Sequence, residues 1–281
     1  MASILDRYGI KEVADVTFYE INSDGTPGKP VLYLDTLKVS TIEQTAEQVD
    51  ARGGKGNPKL VTWDYGKEIT VNIEDALFSP KSMSIMMGNG TVSTGASETM
   101  NHVSVVRANS SSKLPDYFIA DVYDAAAGGA VRKKVYMGSG DAPAGMVAYA
   151  SSGLTLAGIV SEDGAAEQTI ASVDAWGSAS VTADQKYFVK YSNKANTKTI
   201  VISGDSFPGT YYVTGDTYAR SDIDGHDQLF QFVIPKAKMS AENTITLEAE
   251  GDPSTFNMNL TVLRPEDGDM MKLIQYDLVA E

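Results

Sequence analysis

Between Thr255 and Leu263 the chain reads TFNMNLTVL, with Phe256, Met258, Leu260 and Val262 at every second position and Thr255, Asn257, Asn259 and Thr261 between them. Period-two alternation is the mark of a strand whose two faces meet different media, because successive side chains of a strand point to opposite sides. The same pattern returns in KEITVNIE, where Ile69, Val71 and Ile73 alternate with Glu68, Thr70, Asn72 and Glu74. In NTITLEAE the polar set is Thr244, Thr246, Glu248 and Glu250. A chain built on such segments folds into sheets with one apolar face and one hydrated face.

Its 281 residues suffice for one large β domain or two smaller ones. The 25 Gly and 14 Tyr, with abundant Thr, Val, Ser and Asn, favour short strands and turns over helices, so the expected fold is mainly β. A net charge of −14, with the acidic excess spread along the sequence, repels phosphate and argues against specific nucleic-acid binding through a basic patch. The absence of Cys excludes a disulfide framework, a thiol nucleophile and a thiolate metal site. The start MASILDRYGIKEV lacks a long apolar run and no stretch approaches ~18 apolar residues, so neither a secretion signal nor a membrane span is expected, and folding in a cytosol is.

Along the chain, VADVTFYEI and VLYLDTLKVSTIE read as strands of a hairpin joined by the turn-rich NSDGTPGKP. The polar, Gly-containing QTAEQVDARGGKGNPK, from Gln44 to Lys59, reads as a long loop leading to LVTWDYGKEITVNIED. In FSPKSMSIMMGNG, Ser79 is a fitting N-cap, Pro80 suits the first helical position and Gly88 is a stop, which predicts one short helix. From about Thr91 to Asp224 the sequence is rich in Gly, Ala, Ser and Thr, with candidate strands DYFIADVY, KKVYM, KYFVKYS, KTIVIS and TYYVTG. The resulting division is a β domain of residues 1–95 and 225–281 with an inserted β-rich lobe of residues 96–224. QLFQFVIP, NTITLEAE, TFNMNLTVL and MMKLIQYDL supply the closing strands.

Chemistry-bearing motifs are few. SDIDGHDQ gathers Asp222, Asp224, His226 and Asp227, but Gly225 falls too early for an EF-hand loop and no twelfth-position Glu follows, so a solvated turn is expected. His102 and His226 stand in no triad or zinc spacing. DARGGKG lacks the order of a phosphate-binding loop. The acid pairs Glu248/Glu250 and Glu266/Asp267 are more simply surface carboxylates than a hydrolase pair, and Trp63 and Trp176 are expected in a core. No enzymatic activity, cofactor or metal is expected.

In YGIKEVADVTFYEI, in LYLDTLKVSTIEQTAEQVDARGGKGNPKLVTWDYGKEITVNIEDALFSP and in FQFVIPKAKMSAENTITLEAEGDPSTFNMNLTVL, the order of features resembles bacteriophage tail tube (major tail) proteins. That order is hairpin, polar loop, return strand, short helix and closing strands with polar alternate faces. The likeness covers about the first 95 and last 55 residues. It implies a tail-tube-type β-sandwich or barrel with one short helix. It further implies stacked, six-membered rings of this chain around a lumen that passes double-stranded DNA and the tape-measure protein, capped by tail terminator or baseplate proteins. The setting implied is a virion tail assembled in the host cytoplasm, away from any membrane. Carried over by position, the inter-ring loop falls on Gln44, Glu47, Asp50, Arg52, Gly53, Gly54, Lys55 and Lys59. The lumen wall falls on Glu68, Thr70, Asn72, Glu74, Thr244, Thr246, Glu248, Glu250, Thr255, Asn257, Asn259 and Thr261, and the middle segment is an insertion facing outward. A sandwich with one face in solvent accounts for the alternation equally well. Another virion β protein, such as a capsid decoration or baseplate component, and a carbohydrate-binding β-sandwich are the alternatives.

Overall fold

The structure is a computed structural model that describes residues 7–10, 12–88, 90–223, 225–245 and 255–276. The chain forms two compact units, one of residues 1–92 with 200–281 and one of residues 93–199. In chain order the first unit opens with β1 (Tyr8–Ile10), β2 (Asp15–Ile21), β3 (Pro27–Leu34), β4 (Leu37–Arg52), β5 (Lys59–Asp75) and the helix α1 (Pro80–Met86). The second unit holds β6 (Ser93–Arg107), β7 (Tyr117–Asp124), β8 (Gly129–Tyr136), β9 (Met146–Ala148), β10 (Thr155–Ser161), β11 (Glu167–Thr169), a one-turn α2 (Val173–Gly177) and β12 (Lys186–Thr199). The first unit then resumes with β13 (Thr210–Ser221), β14 (Asp227–Met239), β15 (Phe256–Val262) and β16 (Lys272–Tyr276).

The fold is mainly β, as the composition requires. The insertion ends earlier than the sequence reading has it, at 199 rather than 224. TYYVTG opens β13, and β13 pairs with β2 on one side and β14 on the other, inside the sheet of the first unit. KTIVIS supplies only the last two residues of β12. The ladder with β6 ends at the rung Ser93↔Thr199, beyond which Val201 and Ile202 lie exposed outside any strand. The acidic excess is also less even than it reads along the chain. The second unit carries nine basic and ten acidic side chains, a net −1, so thirteen of the chain's fourteen net negative charges belong to the first unit.

In the first unit the strands follow the order β3-β2-β13-β14-β15-β5-β4, with β1 and β16 attached to β13 and β14. Both halves of this sheet feed one core, in which Val16, Phe18 and Leu32 meet Val71, Ile73, Met258 and Leu260, with Ile85 and Met86 of α1. β15 alternates buried and exposed at every residue, as its sequence demands. β14 serves two partners on one side, β16 along Leu229–Val233 and β15 along Ala237–Met239. Pro235 sits in the gap between them, where its missing N–H interrupts no ladder bond. α1 has the predicted start: the Ser79 hydroxyl accepts from Ser82 N and Pro80 is the first helical residue. Past its end Gly88 takes φ +90, and a Cβ there would lie 2.7 Å from the Ser206 carbonyl oxygen, so glycine is required on both counts.

Consecutive strands β3 and β4 stand at opposite ends of this strand order, yet only Asp35 and Thr36 separate them. Such a link spans at most about 11 Å, so the sheet is curled until its two edges meet at this corner. The corner is fastened from the far end of β5, where the buried Asp75 carboxylate accepts from the Thr36 hydroxyl and from Leu77 N, and Ala76 N donates to Thr36 O. The second unit packs the sheet β11-β10-β12-β6 on the sheet β7-β8-β9 around Phe118, Val135, Ile159, Val189 and Trp176. Trp176 donates its indole N–H to Pro115 O at 2.9 Å.

Replacing Thr36 by Val leaves a buried carboxylate short of a donor, which costs about 1–3 kcal/mol, whereas Ser at the same position keeps the bond. Urea denaturation is expected to show a lowered midpoint with unchanged slope for Thr36→Val and a near-native midpoint for Thr36→Ser.

Candidate functional site

β4 and β5 begin as part of the core sheet and leave it. From Ile69 to Asp75 the odd residues of β5 are buried, whereas from Lys59 to Glu68 every residue of β5 is exposed. The two strands stay paired throughout, down to Arg52↔Lys59. At about 3.3 Å per residue, this two-stranded arm projects roughly 30 Å beyond the packed body. The expected loop from Gln44 to Lys59 is therefore mostly strand. Gln44, Glu47, Asp50 and Arg52 belong to β4, Lys59 opens β5, and only residues 53–58, with Gly53, Gly54 and Lys55, form the turn. The glycines mark the turn alone, where Gly54 and Gly56 take φ +82 and +85. The flanking residues pair because hydrogen bonds across the ladder outweigh their weak strand propensity.

The arm has two unlike faces. On one, Gln48 donates to Asp64, Thr62 donates to Asp50, and Lys59 and Arg52 pair with Asp50 at 2.8 and 3.2 Å. The hydrogen bond from Lys59, with that from Thr62 and the charge of Lys59 behind it, holds the Asp50 carboxyl below its ordinary range. A carboxylate so lowered stabilises the tip above the ordinary Asp pKa, and that contribution fades as the pH falls through the lowered value. On the other face Val49 stands opposite Trp63, Ala51 opposite Val61 and Glu47 opposite Tyr65. A hydrogen bond to Glu47 raises the Tyr65 hydroxyl and keeps the phenol neutral. Trp63 is 53% exposed, against 3% for Trp176, so only one of the two indoles expected in a core is there. Val49, Val61, Trp63 and Tyr65 in water on one face of a thin hairpin forgo a burial worth on the order of 5 kcal/mol.

The second element of the site is the hydrated face of the core sheet. Asn257, Asn259 and Thr261 stand opposite Glu74, Asn72 and Thr70 in the β15–β5 ladder. On the other side of β5, Thr41, Glu43 and Thr45 stand opposite Asn72, Thr70 and Glu68. The structure thus brings seven of the predicted wall residues onto one surface and adds Thr41, Glu43 and Thr45. These three were concealed because β4 alternates too weakly for its inner segment to be told from the arm. Thr255 precedes β15, half-buried, and Thr244 is exposed outside any strand. Thr246, Glu248 and Glu250 lie outside the described residues. Two cations of β14 border the surface: Lys236 is exposed, and Lys238, opposite Thr261, donates to the backbone oxygen of Pro208.

The remaining motifs resolve into local structure. Asp227 forms a bidentate pair with Arg220 at 2.6 and 2.7 Å, and His102 stacks on Tyr191 beside Asn193, while Asp224 lies outside the described residues. Among the described residues no cluster of His, Asp and Glu is arranged to hold a metal ion, and no helix is long and apolar enough to cross a membrane.

A curled sheet with a hydrated outer face and a projecting, half-apolar hairpin defines a structural β protein. The profile of the YomU/Tube protein family matches residues 8–275, and the chain belongs to that family, consistent with phage tail tube proteins. No curated protein matches the chain.

Iodide is expected to quench the Trp63 emission of the dispersed protein and to leave Trp176 dark to quencher, so that Trp63→Phe removes the quenchable, red-shifted component. The same change is expected to move stability by less than about 0.5 kcal/mol, since an exposed side chain away from the core contributes little.

Proposed function

We propose that this chain is the tail tube subunit of a phage, and that copies of it form stacked rings, six to a ring, around a channel for double-stranded DNA. The observation that carries the reading is the arm. Its apolar face is covered by nothing in its own unit among the described residues, and it stands some 30 Å out from the packed body of that unit, open to another chain. Head-to-tail contact of this kind between identical subunits is heterologous and propagates as rings and filaments. The free edges β3 and β4 support the same reading, since strands of neighbouring copies that pair there leave no exposed edge.

The hydrated face of β4, β5 and β15 is the proposed channel wall. DNA carries about one charge per 1.7 Å of duplex, and a wall of Lys or Arg would hold its phosphates. Here the side chains are Thr, Asn and Glu with Val39 beside Glu74, and the cations stay at the border, where Lys238 is tethered to a backbone oxygen and Lys236 is exposed. Repulsion from Glu43, Glu68 and Glu74 decays over roughly 8 Å at physiological salt, so it keeps the duplex off the wall without closing the bore. The tape-measure protein is the other proposed occupant, tail terminator and baseplate proteins the proposed neighbours at the ends. The role is structural rather than enzymatic.

Negative-stain microscopy of the purified protein is expected to show rings and stacked tubes. Val49→Ser with Trp63→Ser is expected to leave the subunit folded and rings intact while abolishing stacks. A protein that stays monomeric at every concentration and buffer would sink the proposal. Particles carrying Glu68→Lys and Glu74→Lys are expected to assemble and to eject DNA more slowly, with the deficit larger at low salt. Unchanged ejection at low salt would remove this face from the channel.

A further inference from the structure

The second unit carries a surface unlike the rest of the chain. In the ladder between β6 and β12 one set of rungs is buried, with Val106, Tyr187, Val189 and Tyr191 in the core. The alternate rungs are Arg107↔Lys186, Val105↔Phe188, Val103↔Lys190, Asn101↔Ser192 and Thr99↔Lys194. Val103 and Val105 are 61% and 56% exposed, and Phe188 is exposed beside them. An apolar centre framed by cations is the anatomy of a protein interface, not of a solvated sheet face. Lys186 and Lys190 meet Glu162 and Glu167. Arg107 reaches only the backbone oxygen of Asp184, at 3.1 Å, and Lys194 only the Thr99 hydroxyl, at 2.6 Å. Neither takes part in an ion pair among the described residues. β6 is moreover an edge of its sheet, fifteen residues long, with neither Pro nor Lys to discourage pairing.

The first unit holds the complement. Asp15 stands directly opposite Asp216 in the β2–β13 ladder, an arrangement that destabilises a sheet unless a cation approaches. Tyr33, exposed, donates to Asp15 at 3.3 Å, and Gln231 donates to Asp216 at 2.7 Å. The charge of Asp15 first, and those of Asp35 and Asp216 after it, raise the Tyr33 hydroxyl. Asp35 follows Leu34, which stands opposite Val16 in the β2–β3 ladder, so the three acids fall in one row across β3, β2 and β13. None of the ion pairs among the described residues involves any of the three. This unit bears −13 of the chain's charge, against −1 for the other.

We propose that the β6–β12 face of one copy docks on the Asp15, Asp35, Asp216 and Tyr33 surface of a second copy. Val103, Val105 and Phe188 lie against Tyr33, and Arg107, on the rung beyond Val105, supplies the cation that the acid pair lacks. Nine rungs of two strands cover roughly 300 Å². That is less than half of the ~800 Å² per partner of a stable complex, so the contact is weak in isolation and is decisive where other contacts hold the copies together. It stands apart from ring closure through strand edges and from stacking through the arm.

The test is a charge swap in the full chain. Arg107→Glu, and separately Asp216→Lys, are each expected to weaken self-association in sedimentation equilibrium about tenfold or more, and the two changes together to restore it to within about threefold. Wild-type association is expected to weaken as salt rises. Failure of the combined variant to recover, or association indifferent to either change, overturns the proposal. Loss by the first change alone overturns it too, since the partner surface is then a different one. If a charge variant melts early, Val105→Ser with Phe188→Ser on the same face decides: association unchanged by that pair rules the face out. Rings counted by microscopy in the same samples separate this contact from the tube reading, because they persist if only this contact is misassigned.

Discussion

The first unit depends on the corner where β3 gives way to β4. Two residues join strands that occupy opposite ends of a seven-strand order, and so short a link permits only a sheet rolled until its edges meet at that one corner. From that constraint follow a single core fed by both halves, to which the helix adds Ile85 and Met86, and an outer face that stays wet. The Thr36–Asp75 bond stitches the corner to the last rung of β5. It explains a buried carboxylate that would otherwise be an expensive guest in an apolar core. The position of Pro235 in β14 belongs to the same geometry, since a strand that serves both halves of a rolled sheet must change partners somewhere along its length.

What the sequence discloses tracks contrast between environments. β15 and the inner half of β5 are legible because each has one dry and one wet face, so Phe256 to Val262 and Ile69 to Ile73 announce their period. α1 is legible through Ser79 and Pro80, local chemistry that needs no tertiary partner. The arm is not. Both its faces meet water in the single chain, the amphipathic signal vanishes, and three glycines of a six-residue turn are then taken to describe sixteen residues. Trp63 misleads for the same reason, because an indole in a β-rich sequence is expected in a core and here waits on a surface. β6 hides behind Ser, Thr, Gly and Ala, and its valines lie on both faces.

The distribution of charge carries a similar lesson. The first unit is assembled from two stretches separated by an insertion, so any linear window averages acidic and neutral regions. Only once the strands are sorted by sheet do Asp15 and Asp216, some two hundred residues apart, prove to be neighbours on one rung. A wet face made of Thr, Asn and Glu is legible as a wet face. What it looks at is not written in the residues of the strand itself.

The rung Ser93↔Thr199 has a consequence for how such a chain changes over generations. The insertion enters and leaves its host on facing residues of one ladder, about 5 Å apart. A gap that narrow is closed by a residue or two, so a gene can lose the module, or exchange it for another with closely spaced ends, without stretching the host sheet. Whatever replaces it hangs on the same two attachment points, and its sequence can change apart from that of the sheet that bears it.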